Sequence, residues 1–303
     1  MLMDAVDAYL DIKRVAGFEL EVPEYLLRSY ARFATHKEQD HVNTQTAIEW
    51  ASQAPSKNQR FHRLATVTRF AEHVQVEDQR HEIPPRDIFG KRRVRHSPFI
   101  YSVEQVDSLI RVATELGPTG SLRPHTYSTL FAILVTTGLR ISEALALVFD
   151  DVKTDGLIIR KTKFKKSRIV PLHETARFGL EKYLDLRKRL APFDDHIFVS
   201  LRERVLDRSA VTWTFRRILK DIGLNPPPSG RRPRIHDLRH TFACRSLELC
   251  PAGRENVTRH LRALSTYLGH VKVSDTYWYL QSTPQLMKDI AFDCESFFLG
   301  GRS

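Results

Sequence analysis

Cysteine is scarce: Cys244, Cys250 and Cys294 are the only three among 303 residues. No C-x-x-C pair occurs, which argues against a disulfide framework and against a structural zinc site. The three read as small core residues in a reducing compartment. No uninterrupted apolar run approaches the roughly twenty residues of a membrane span. The first ten residues carry Asp4 and Asp7 and little positive charge, so they do not read as a secretory signal. The expectation is a soluble, cytoplasmic protein. There is also no G-x-x-x-x-G-K-[ST] loop to cradle a nucleotide, and no long internal repeat or low-complexity block.

What is present is positive charge. Forty-seven Lys and Arg against thirty-six Asp and Glu give a formal net charge of +11. That excess favours a polyanionic partner through counterion release, although charge alone also fits a solvated surface. The hydrophobic share of 42% is ordinary for a packed globular protein, and the length suits two domains. Residues 1–90 read as helices: one opened by Pro23-Glu24, one capped at Asn43, one capped at Asn58. Residues 91–101 read as a linker that follows Pro84-Pro85 and carries Lys91, Arg92, Arg93 and Arg95. A second domain then runs over residues 102–303. Ser102 with Gln105 resembles a capping box, a buried helix spans 124–137, and helical spacing resumes at 140–147. Residues 157–159 and 168–170 read as short strands of a hairpin or small sheet. Helical patterns return at 174–190, 211–222, 236–249, 257–268 and 284–298, and residues 225–230 form a loop. The fold class is therefore mainly α with a small β-sheet (α+β).

Four places concentrate polar chemistry. In Thr137-Gly138-Leu139-Arg140-Ile141-Ser142-Glu143, the Arg140 guanidinium offers a planar fork to a phosphate, and a surface Arg140–Glu143 pair explains it equally. Arg160, Lys161, Lys163, Lys165, Lys166 and Arg168 form a basic tract suited to following phosphates. It also reads as a solvated loop. His236-Asp237-Leu238-Arg239-His240, entered from Arg231, Arg232 and Arg234, sets His236 and Arg239 on one helix face, a titratable imidazole beside a fixed cation. His236 and His240 share the i,i+4 spacing of zinc proteases, but Arg239 between them repels a cation and no third ligand follows. No metal or cofactor is expected. Last, Leu268-Gly269-His270 precedes Tyr277-Trp278-Tyr279. The aromatic run fits core packing, and a phenol acting as nucleophile needs neighbouring cations or a base.

In their order, these motifs give a resemblance. T-G-L-R-I-S-E-A-L, T-K-F-K-K-S-R-I-V-P-L, H-D-L-R-H-T-F-A and L-G-H followed nine positions later by tyrosine resemble the tyrosine recombinase (phage integrase) family over residues 102–281. The resemblance implies a helical core-binding domain at residues 1–90 and a catalytic domain at 102–303, with a C-terminal tail from about residue 284. It implies Arg140 and Arg239 as phosphate clamps and Lys163 as proton donor to the leaving 5′ oxygen, with Lys165 and Lys166 as rivals for that place. His236 takes the acid–base position, His270 a phosphate-ligand position and Tyr279 the nucleophile's place, with Tyr277 as its rival. One departure is a longer segment around 254–262. The implied activity is cleavage and rejoining of double-stranded DNA through a 3′-phosphotyrosine, by four protomers on two duplexes, alone or with sister recombinases. The motif spelling over 265–279 looks like that of bacterial mobile-element recombinases. The rivals are a type IB topoisomerase-like nickase, a metal-dependent transposase lacking any distinctive carboxylate cluster here, and a DNA-binding accessory protein without catalysis.

Overall fold

The computed structural model describes residues 1–90, 98–160, 167–225, 232–250, 254–270, 274–277 and 279. The chain divides into two compact units, Met1–His96 and Ser97–Ser303. Among its described residues the first holds four helices: α1 (Leu2–Val15), α2 (Glu21–Thr35), α3 (Thr44–Ser52) and α4 (Lys57–Val74). Leu2, Val6 and Leu10 recur every four residues along α1 and are buried together with Leu27, Tyr30, Trp50, Leu64 and Phe70, so α1 seals the core of this unit. Asn43 caps α3, its side chain accepting from the Thr46 amide at 3.1 Å. The cap of α4 is Ser56, accepting from Gln59 N at 3.3 Å, and not Asn58. Ser56 keeps the extended backbone a cap requires, whereas Asn58 already lies inside the helix.

The second unit begins with α5 (Val103–Thr114), opened by the Ser102/Gln105 capping box, and α6 (Arg123–Thr137). Leu130, Phe131, Ile133 and Leu134 make α6 apolar nearly all round and buried. Gly138 ends it in the left-handed region at φ +62°, and α7 (Ile141–Leu145) follows at once. The helical spacing read over 140–147 thus yields a five-residue helix, with Arg140 outside it as an extended cap residue.

A single helical turn, Phe149–Asp151, leads into β1 (Val152–Lys153), β2 (Gly156–Ile159) and β3 (Arg168–Val170). They form an antiparallel sheet in sequence order, with Ile159 opposite Arg168. The two-residue strand β1 has too little sequence to show a period of its own. Gly156 is fixed by space, because a Cβ there would lie 2.2 Å from Val170 O. The remaining helices are α8 (Glu174–Leu190), α9 (Arg208–Asp221), α10 (His236–Glu248), α11 (Arg254–Leu268) and the short α12 (Ser274–Tyr277). Cys244 is buried and Cys250 half-buried. Among the described residues, no helix is long and apolar enough to cross a membrane. The molecule is mainly helical with one small sheet.

Candidate active site

Four elements of the second unit meet at one place: the α6–α7 turn, β3, α10 and the end of α11. Each delivers a charged or titratable side chain.

Arg140 sits at the cap of α7. Its backbone N–H donates to Glu143 Oε2 at 2.9 Å, while its guanidinium donates to Glu143 Oε1 at 2.6 Å and to the Gly269 carbonyl at 3.2 Å. The i,i+3 spacing of R-I-S-E therefore makes one carboxylate both a helix cap and an arginine clamp. Arg168, from the first position of β3, meets the same carboxylate in a fork, at 3.1 Å and 2.9 Å. Burial alone would raise the Glu143 pKa, but the hydrogen bonds and charges of Arg168 and Arg140 pull it down to about 2.

Arg239 lies 2% exposed. It donates to the carbonyls of Gly138 at 2.7 Å and Leu268 at 2.6 Å, and it lies 3.2 Å from His270 Nε2. Gly138 itself is required by its left-handed φ and by Phe242, whose ring a Cβ there would meet at 2.5 Å. Burial, then Arg140, lowers the Arg239 pKa to about 10, so it stays charged at neutral pH. His270 follows the left-handed Gly269 (φ +66°) and lies 2.8 Å from Thr276 Oγ1 through Nδ1. A Cβ on Gly269 would meet the Arg168 guanidinium at 2.9 Å, so the glycine leaves room for Arg168 beside the α11 terminus.

His236 opens α10. It is exposed, but arginines crowd around it. Lost solvation and then Arg239, Arg234, Arg140 and Arg208 lower its pKa from 6.5 to about 4. The free protein thus holds a neutral imidazole there at pH 7. A phosphate arriving among those cations stabilises the protonated form. Beside His236 opens a cleft of about 560 Å³ whose rim carries Arg208, Arg216, Lys220, Arg232 and Arg234. Asp237 lies beneath, buried, accepting from the Arg234 amide at 2.7 Å and its guanidinium at 3.1 Å.

Tyr279 is 3% exposed and packs with Ala243, Leu261, Leu264 and Leu268. Its ring lies parallel to that of His270 at 6.1 Å, and its hydroxyl is 3.1 Å from His240 Nδ1. A charge on its oxygen would raise the Arg239 pKa, so the two groups are electrostatic neighbours.

The structure thus brings Arg140, His236, Arg239, His270 and Tyr279 together through a chain of direct contacts. Arg168 points inward to Glu143 instead of lying along a surface, and Arg160 pairs with the buried Asp151. Arg232 and Arg234 flank the cleft. Lys91, Arg92, Arg93, Arg95, Lys161, Lys163, Lys165, Lys166 and Arg231 lie outside the described residues, as do the tail from 284 and most of the loop 225–230; the Tyr277 side chain is likewise undescribed. From sequence, Glu143 reads only as a surface partner of Arg140 and His240 only as a metal candidate. The signal for both was their helix face: Glu143 lies three residues from Arg140, and His240 four from His236. No group of three His, Cys, Asp or Glu among the described residues could hold a metal ion.

The match to known proteins follows the same outline. The Phage integrase family model matches residues 101–285, and the chain belongs to that family; it is a tyrosine-type site-specific recombinase. It is 38% identical over 296 residues to the putative integrase/recombinase y4rB of Sinorhizobium fredii (strain NBRC 101917 / NGR234), covering 94% of each chain. It is 28% identical over 232 residues to the tyrosine recombinase XerD of Listeria monocytogenes serotype 4b (strain F2365), covering 75% of this chain and 72% of that one. In fold it is similar to the Tn1549 transposon integrase, solved with transposon right end DNA, at TM-score 0.64 and 17% identity, over 91% of this chain and 94% of that one.

Proposed function

We propose that this recombinase cleaves and rejoins double-stranded DNA through a 3′-phosphotyrosine on Tyr279, in the service of a mobile element. The observation that carries the reading is the placement of the Tyr279 hydroxyl beside the Arg239–His270 pair. Attack by the phenol on a phosphodiester builds negative charge on the nonbridging oxygens. Arg140, Arg239 and His270, held in fixed positions by their hydrogen bonds, supply donors for that charge. His236, protonated on meeting the anion, adds a further cation and a transferable proton. Lys163 is assigned to protonate the leaving 5′ oxygen.

The phosphotyrosine conserves the energy of the bond it replaces, so a 5′ hydroxyl of another strand reverses the step without ATP. No cofactor or metal enters this scheme. Arg208, Arg216, Lys220, Arg232 and Arg234 along the cleft, together with Lys91, Arg92, Arg93, Arg95, Arg160, Lys161, Lys165, Lys166 and Arg231, supply cations for the DNA backbone. Arg160 does so while tied to Asp151, whereas Arg168, turned inward, holds Glu143 in place. Residues 1–90 serve as the core-binding domain. The working assembly is a homotetramer on two duplexes, or a mixed tetramer with sister recombinases. A fold neighbour, lambda integrase, is known as a tetramer bound to a Holliday junction, which supports this arrangement. The Tn1549 likeness in fold and the motif spelling support the mobile-element role.

The test is a suicide-substrate assay in EDTA, on nicked DNA taken from the flanks of the gene. Wild type is expected to form a covalent protein–DNA adduct, Tyr279→Phe none, and Tyr277→Phe the wild-type amount. An adduct lost only in Tyr277→Phe moves the nucleophile. No adduct on DNA that the protein binds refutes the reading in favour of an accessory DNA-binding role.

A further inference from the structure

The proposed chemistry leaves one proton without a destination. A phenol attacks phosphorus only as it gives up its hydrogen, and Arg140 and Arg239 are cations that cannot take it. His236 stands among four arginines, which disfavour any added proton until a phosphate arrives. A group in direct contact with the Tyr279 hydroxyl is His240, through Nδ1 at 3.1 Å. Its other nitrogen, Nε2, faces Asp237 Oδ1 at 3.9 Å. His240 is 7% exposed and Asp237 1%, so the pair is held by packing and not by solvent. The helix sets the geometry: residues 236, 237 and 240 lie within four positions, and the His236 ring meets that of His240 edge-on at 4.7 Å.

We propose that His240 is the general base of the cleavage step, with Asp237 stabilising the imidazolium. The assignment rests on Tyr279 being the nucleophile. The Nδ1 lone pair of His240 accepts the phenol proton as the Tyr279 oxygen forms its bond to phosphorus. The bond between phosphorus and the 5′ oxygen breaks, and that oxygen leaves with a proton from a separate acid. In rejoining, the 5′ hydroxyl gives its proton back to the conjugate base of that separate acid as it displaces the tyrosine, and His240 returns its proton to the phenolate. Asp237 is anchored for its part: two hydrogen bonds from Arg234 fix the carboxylate, which also faces His240 Nε2, where the charge forms. The order Asp237–His240–Tyr279 has the base–orienter logic of other activated nucleophiles.

Two substitutions separate a base from a mere tether. His240→Asn keeps an acceptor oxygen near the position of Nδ1, so it can hold the phenol but cannot take its proton. His240→Ala removes both functions and leaves space for a small base. The measurement is the rate of adduct formation by the full chain on a nicked DNA that the wild type cleaves, with and without added imidazole, alongside a gel shift on the same DNA. Both variants are expected to bind the DNA and to cleave it slower by on the order of 100-fold or more, and imidazole is expected to restore a part of the His240→Ala rate. Near-wild-type cleavage by His240→Asn overturns the proposal, leaving His240 as a tether. Slow cleavage by both variants, with DNA binding intact and no response to imidazole, also overturns it and leaves a packing role. Absence of adduct from the wild type itself refutes the nucleophile reading, an outcome the unsubstituted control reports separately.

Discussion

Glu143 places one negative charge against the guanidiniums of Arg140 and Arg168, with that of Arg239 at 4.0 Å. Without it, three cations face one another with little solvent. Its carboxyl, at about 2, lies below its ordinary 4.5, so in the unfolded chain it binds a proton more readily than in the folded one. The stability it contributes is fully present above about pH 4.5 and is lost as pH falls through about 2, roughly 3 kcal/mol in all. Glu143→Gln is therefore expected to cost about 3–5 kcal/mol at neutral pH and to flatten the acid limb of the stability curve between those two values. Urea unfolding across a pH series checks both. An unchanged midpoint at pH 7 would refute the clamp. Added sulfate is expected to recover part of the loss, since an anion among the arginines restores the balance.

At the scale of elements, the site depends on two left-handed glycine turns that abut arginines. Gly138 carries φ +62° and would place a Cβ 2.5 Å from Phe242 Cδ1 on α10. Gly138→Ala is expected to lose about 1–3 kcal/mol from crowding and backbone strain. It also displaces the carbonyl that anchors Arg239, so cleavage should fall further than stability alone explains. Gly179→Ala is the contrast: it lies inside α8 with open space at its Cβ, and it should stabilise by about 0.5–1 kcal/mol. Thermal melts with cleavage rates test the pair. Elements were legible wherever periodicity was long. The apolar rows of α6 and α8 declare themselves, and Ser102 caps α5 as its sequence indicates. Helix α1 escaped because an amphipathic stretch at a chain start was weighed only as a signal. Strand β1 escaped because two residues carry no period.

For the whole molecule, each unit owns a core. Leu10, Tyr30, Trp50 and Phe70 belong to one; Leu130, Phe131, Phe198 and Phe215 belong to the other. Separate cores predict separate folding. Fragments 1–96 and 97–303 are each expected to melt cooperatively and to show the circular dichroism of helical proteins. The larger fragment, which holds the whole candidate site, should keep a trace of cleavage while losing most of its DNA affinity. A fragment 97–303 without a cooperative transition would show that its core needs the first unit.

Sequence by itself determined the class. Arg140, His236, Arg239, His270 and Tyr279 are legible because each sits in a short motif whose order along the chain is distinctive. The mainly helical fold follows from apolar spacing. Tertiary structure decided what those motifs do to one another. That Arg168 turns inward to Glu143, that Arg239 ties Gly138 to Leu268 across 101 and 29 positions of chain, and that the Tyr279 hydroxyl meets His240 are contacts between distant segments. Periodicity encodes which face of a helix is buried, but not which partner it meets. That is set by packing four elements around a common buried charge, where desolvation makes each partner's position matter.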